Sequence, residues 1–307
     1  MTNVRLFVTL LFTVQAFFLI ADGWTTWVES RRPRRDAIRL AAFVFASAAV
    51  YFVVQLTLSA LLPDFPRLLA MLSFVAGAGP AEAGHYGPGP AAVALLVLLA
   101  FLVVTLVDYL VHRFILHRWL FVVHENHHLP TVVSNLMPGI VARPFVIIPN
   151  LLINAGSVIV LLMLVRVSGA PQLVATLDRL ILPLALVFSA ILCASHSSFL
   201  RRYEAAERVC RAVGIVTPRE HLVHHAAEID GNYGNFTMIW DRLFGTYVPP
   251  PLATPVLGLR YDQDFLGSLT GGLLKLPRAM RDYFGVAAVC RIQLDTDRSD
   301  RHNVPQP

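Results

Sequence analysis

The sequence predicts an all-α integral membrane protein. It reads as a helical bundle with about four to five transmembrane helices and a cytoplasmic helical cap that carries a histidine cluster. Three observations predict this class. First, 56% of the 307 residues are hydrophobic, only 15% are charged, and the mean hydropathy is +0.61, whereas a soluble domain has about 25% charged residues. Second, several apolar segments have the length of a bilayer-crossing helix, about 20 residues. Third, nine of the eleven histidines fall between positions 112 and 225, at the ends of those segments.

The spans follow in order. Residues 6–21 form a short first span without a cleavage-site pattern, so a membrane helix is expected rather than a signal peptide. Residues 40–62 form the second, and residues 91–111 the third, with Asp108 near its end. Residues 145–165 and 180–195 form a helical hairpin. Residues 65–78 are apolar but bounded by Pro and Gly, which suits an interfacial or re-entrant segment. Arg31, Arg32, Arg34, Arg35 and Arg39 sit between the first two spans and mark a cytoplasmic loop, not a nucleic-acid surface. From that anchor the chain crosses outward, returns before His112, and goes out and back again before His196. The expected protein is multi-pass with its histidines on the cytoplasmic side.

No repeat or linker divides the chain, so one integral domain is expected, in three parts. Residues 1–90 hold the N-terminal transmembrane helices and loop. Residues 91–250 hold the histidine region with its hairpin. Residues 251–307 hold an interfacial segment, over 266–283, and a disordered tail. The three cysteines, Cys193, Cys210 and Cys290, have no paired spacing, which excludes a disulfide framework.

The histidines fall into groups: His112 and His117; His124, His127 and His128; His196; then His221, His224 and His225. Two groups share the spacing H-x-x-H-H, which places three imidazoles on one helical face. No Pro or Gly interrupts residues 91–129, so one long helix is expected to leave the membrane carrying the first five. At about 100° per residue, His117, His124, His127 and His128 share an arc of about 100°. His112 lies about 60° outside it; it serves a different ion, or a local bulge turns it inward. The second triple follows Thr217-Pro218-Arg219-Glu220, a capping box with Pro at the first helical position, and Gly231 is expected to end that helix.

A lone histidine beside a span is ordinarily an interfacial residue; His85, in a Gly/Pro loop on the other face, and His302, in the tail, are read as solvated. Two triples and a pair on one face of one membrane point to metal instead. Eight or nine ligands exceed what one tetrahedral ion uses, so two ions are implied. Imidazole suits iron, zinc, copper and nickel alike. A metal transporter would place its ligands near the bilayer midplane within broken helices, and a haem uses fewer ligands. A metal-binding membrane transporter and a non-catalytic sensor or scaffold with the same ligands are the alternatives from another class.

HRFILH, HENHH and HLVHH resemble the three histidine boxes of the fatty acid hydroxylase/sterol desaturase superfamily, membrane-bound non-haem di-iron oxygenases. The resemblance covers about Asp108 to Tyr247. TPREHLVHH followed by GNYGNFTMIWDRLFGTY resembles that family's C-terminal signature, and SHSSF its segment with an additional histidine, here His196. The first box has four residues between its histidines, where the sterol branch usually has three. That spacing is more similar to fatty acid 2-hydroxylases and carotenoid hydroxylases, as is HENHH to the latter.

The resemblance implies two iron ions, with O2 as co-substrate, held by His112, His117, His124, His127, His128, His196, His221, His224 and His225. It implies oxidation of an unactivated C–H bond of a membrane lipid, fatty acyl, sterol or isoprenoid, by hydroxylation or desaturation. Electrons are expected from a separate ferredoxin-, rubredoxin- or cytochrome b5-type donor with its reductase. No catalytic residue is expected beyond the metal centre itself. A cationic centre calls for nearby carboxylates to orient its ligands. The candidates are Asp108, Glu125, Glu228, Asp230 and Asp241, each otherwise a surface or helix-end charge. Asn232, Tyr233 and Trp240 belong to the signature, and their role is open between packing the metal helices and touching substrate.

Overall fold

The computed structural model describes residues 2–29, 88–121, 124, 128, 147–169, 173–226, 229–250 and 277. The expected span 40–62, the segment 65–78, the C-terminal segment and tail, and the candidates Glu125, His127 and Glu228 lie outside the described residues.

The described chain is helical, without strands; an isolated antiparallel bridge pairs Ile215 with Thr237. Helix α1 spans Thr2–Glu29 and α2 spans Pro90–Leu110, the latter continued without interruption by a π-helix, Val111–Trp119. Helices α3 (Ile147–Val167) and α4 (Leu173–Ser195) form the expected hairpin. A 3₁₀ turn (Leu200–Arg202) and the short helices α5 (Glu204–Ala212), α6 (Pro218–His224) and α7 (Ile239–Leu243) follow.

Helix α2 starts with Pro90 at its first position, where a missing N–H costs nothing. Leu96, Ala100 and Val103 repeat at four- and three-residue spacing, so they share one face. That face packs on Leu161 and Val165 of α3 and Leu177 of α4. Small residues let the helices approach closely: a Cβ on Gly156 would lie 3.2 Å from Val107 Cγ1. The opposite face of α2 exposes Leu95 (67%) and Leu98 (54%), apolar surface that suits lipid better than water.

Among the described residues one helix, Pro90–Trp119, is long and apolar enough to cross a membrane. The other long helices carry shorter apolar stretches, Thr9–Thr25, Gly156–Val165 and Arg179–Ser195.

Two sequence expectations are corrected. The helix carrying the first box does not run to residue 129: Leu120 leaves helical geometry at φ −119°, ψ 35°. His124 and His128 belong to helical residues after that break. Helix α6 ends at His224, with His225 as its C-cap, well before Gly231. Gly231 serves a different purpose, because a Cβ there would sit 2.6 Å from the Thr246 carbonyl oxygen. The capping box forms as expected. Glu220 N–H donates to Thr217 Oγ1 at 3.4 Å, and Thr217 N–H donates to Glu220 Oε2 at 3.0 Å. Buried Glu220 also accepts from Arg211 Nε and Tyr247 Oη, both at 3.1 Å, so it anchors α6 from three directions.

Candidate metal centre

The first box is shaped by its π-helix. His112 and His117 are five residues apart, about 140° apart on an ordinary α-helix. Bonds from i to i+5 widen each turn, so residues at this spacing stack. The two rings lie 5.0 Å apart. The local bulge that would bring His112 inward is therefore present, and it accounts for the four-residue interval.

Two histidine groups result. His112, His117, His124, His128 and His224 form one; His196, His221 and His225 form the other. Within each, the candidate ligand atoms lie within 4.8 Å of one another. Imidazole nitrogen binds a metal at about 2.0–2.1 Å, so two ligands of one ion lie at most about 4.2 Å apart. Closing either group on an ion needs only sub-ångström movement. His124 Nε2 is 2.9 Å from His112 Nε2 and 3.1 Å from His128 Nε2. His221 Nε2 is 2.8 Å from His196 Nε2 and 3.1 Å from His225 Nε2. The groups adjoin, with the rings of His128 and His225 4.7 Å apart. The H-x-x-H-H triple of α6 is thus shared, because His221 and His225 face His196 while His224 faces the first box.

Backbone carbonyls set the tautomers. His112 Nδ1–H donates to the Tyr233 carbonyl at 2.6 Å, His224 Nδ1–H to the Gly231 carbonyl at 3.1 Å, and His196 Nδ1–H to the Leu192 carbonyl at 2.8 Å. A proton on Nδ1 leaves the Nε2 lone pair for the group's interior. One loop, 231–235, therefore orients a ring from the first box and one from the last. Its tight path requires glycine at 234, where a Cβ would collide with the Thr237 carbonyl.

Burial keeps these rings neutral. His128, His221 and His225 are held well below their ordinary pKa of 6.5, first by burial and then by neighbouring histidines. Neutral, buried, convergent imidazoles fit a transition-metal ion. The sign of the pH dependence follows. Unfolded histidines take up protons near 6.5 and folded ones resist, so the unfolded state binds more protons below that value. The stability these rings contribute is complete above 6.5 and is lost as pH falls towards their folded values. The melting temperature of the metal-free protein in detergent is expected to drop between about pH 7 and about pH 5. The double variant His221→Gln with His225→Gln is expected to flatten that slope, as read by thermal scanning.

The outer candidates occupy distinct places. Asp108 accepts from Asn235 Nδ2 at 3.1 and 3.2 Å, and the same Nδ2 lies 3.2 Å from His112 Nδ1. Asn235, a residue the sequence reading did not single out, thus holds Asp108 beside the first box without bonding His112, whose Nδ1–H is already given to Tyr233. Asp241 touches no histidine; it accepts from the Tyr233 and Gly234 N–H groups and from Thr246 Oγ1, each at 2.8 Å. Burial raises its pKa, and those same bonds oppose the rise. Asn232, at φ +54°, donates to the Glu220 and Val248 carbonyls, tying the loop to α6. The Tyr233 ring lies 5.1 Å from His117, and its hydroxyl bonds Asp230, an exposed residue. Trp240 Nε1 donates to Thr105 Oγ1 at 2.9 Å, fastening α7 to α2. Arg113 lies over Phe114 at 5.0 Å and donates to Tyr109 Oη at 2.8 Å.

Residues 97–246, just under half of the chain, match the model of the fatty acid hydroxylase family. The alkylglycerol monooxygenase of Xenopus tropicalis is 53% identical over 36 residues, which is 11% of this chain and 8% of that protein. No solved structure matches the chain. The histidine groups at the end of a membrane-length helix lie within residues 97–246, the region that matches the fatty acid hydroxylase family model.

Proposed function

We propose that this chain is a multi-pass membrane oxygenase that hydroxylates an unactivated C–H bond of a lipid. Two iron ions would be held by His112, His117, His124, His128 and His224, and by His196, His221 and His225, with His127 as a further ligand. When bound, iron supplies the activation of O2. One oxygen atom enters the lipid and the other leaves as water, with two electrons from an external donor protein and two protons from solvent. The observation that carries this reading is the pair of adjoining all-imidazole groups, buried but for half-buried His117, at the end of the helix Pro90–Trp119.

The protein's own residues hold and shield. Carbonyls of Leu192, Gly231 and Tyr233 fix three rings. His112, His221 and His224 are at most 2% exposed, which keeps bulk water from the oxidising centre. The apolar outer face of α2 lies against lipid, so a substrate reaches the histidines without leaving the bilayer. The arginine-rich stretch of the sequence, Arg31 to Arg39, supports a cytoplasmic position for that centre.

The name of the Xenopus relative makes an alkylglycerol lipid the first substrate to try. Iron-loaded protein in lipid nanodiscs, given isotope-labelled O2 and a reduced donor, is expected to yield a lipid carrying one labelled oxygen. A product lacking two hydrogens and carrying no label would reassign the chain as a desaturase. Iron-loaded protein that turns over no fatty acyl, sterol, isoprenoid or ether lipid would reject the oxygenase reading.

A further inference from the structure

Residue 22 lies far outside the family-matched region, yet it touches the turn that carries His196. Helix α1 packs along α4, and the Phe17 and Phe199 rings meet edge-on with centroids 6.5 Å apart. On the same helix Asp22 is fully buried. Its Oδ1 accepts from Ser197 Oγ at 2.7 Å and from the Phe199 N–H at 3.0 Å. Ser197 Oγ in turn accepts from the Leu200 N–H at 3.1 Å. Phe199 caps the 3₁₀ turn Leu200–Arg202, so a carboxylate from another helix satisfies donors that a helix start leaves open.

His196 is the first residue beyond α4. It is the one member of its group that α6 does not supply, since His221 belongs to α6 and His225 caps it. A ring at the end of a helix needs its following backbone held as well as its own Nδ1–H. The Leu192 carbonyl holds the ring from before, and Asp22 holds the chain from after. A buried carboxylate is costly unless it does such bonding.

We propose that Asp22 is a positioning residue for the His196–His221–His225 group, by which the N-terminal helix completes the second metal site. This rests on the two-ion reading above. Loss of an outer support costs about 10–100-fold in metal affinity, and here the loss falls on one group only.

The test compares wild-type protein with Asp22→Leu, Asp22→Asn and His196→Ala, titrated with ferrous iron in detergent, with bound iron counted by elemental analysis. Asp22→Leu should weaken the same ion that His196→Ala loses, through a second site about 10–100-fold weaker, a smaller effect than removal of the ligand itself. Asp22→Asn keeps an acceptor oxygen and should bind both ions. This rescue separates hydrogen-bond positioning from charge and from misfolding. Asp22→Leu binding both ions as tightly as wild type would overturn the inference and leave the two-ion reading standing. Asp22→Asn failing like Asp22→Leu would overturn it as well. Wild-type protein binding fewer than two ions would overturn both.

Discussion

Replacing His224 with alanine is expected to abolish turnover and to empty the five-histidine group. His224 is carried by the last box but points into the first. Its ring lies 4.6 Å from His112, 4.9 Å from His117 and 4.8 Å from His128, while His221 and His225 are each 5.5 Å away. The Gly231 carbonyl fixes its Nδ1–H, so Nε2 has one direction available. Removing a supporting residue weakens a metal site by about 10–100-fold, and removing a ligand should exceed the upper end of that range. Elemental analysis of His224→Ala should show the first group's ion lost and the second retained, with circular dichroism confirming intact helices. Full activity in this variant would remove His224 from the centre.

Replacing Asp241 with alanine is expected to be the most damaging change at a residue that touches no histidine. Its carboxylate holds the Tyr233 and Gly234 N–H groups, and the Tyr233 carbonyl holds His112. Alanine strands two buried donors at about 1–3 kcal/mol each, so about 4 kcal/mol of stability should be lost. The loop that aims His112 and His224 would loosen with it. Asp241→Asn keeps the volume but turns an NH2 group towards one of those donors, so it should also destabilise. Denaturant melts of the two variants, alongside iron titration, check both effects. A stability loss within about 0.5 kcal/mol, the range of ordinary surface substitutions, would show that the loop stands without Asp241.

Much of this centre was legible in the letters. The two H-x-x-H-H triples, the capping box before His221 and the apolar run before His112 each follow from spacing alone. The assignment of histidines to ions was not legible. His221 and His225 differ by about 40° around α6, and His224 lies about 60° to the other side of His221. Only the packing of α6 between α4 and the first box turns that modest angle into two sites. The five-residue interval of HRFILH was visible as a departure, but its cause, π winding, is a backbone property with no residue signature. The carbonyls of Leu192, Gly231 and Tyr233 are likewise invisible, since every residue has one. Asn235 was in plain view within GNYGNF, and the acid it serves, Asp108, is on another helix. Asp22 carries no spacing signal, and its partners Ser197 and Phe199 come into reach only when α1 is laid against α4.

The central claim is that boxes scattered over more than a hundred residues close into a single cage for two ions. Anomalous diffraction at the iron edge from iron-loaded protein tests it most directly. Two iron peaks are expected, one among His112, His117, His124, His128 and His224, the other among His196, His221 and His225. A single peak, or iron bound away from either group, would contradict the account.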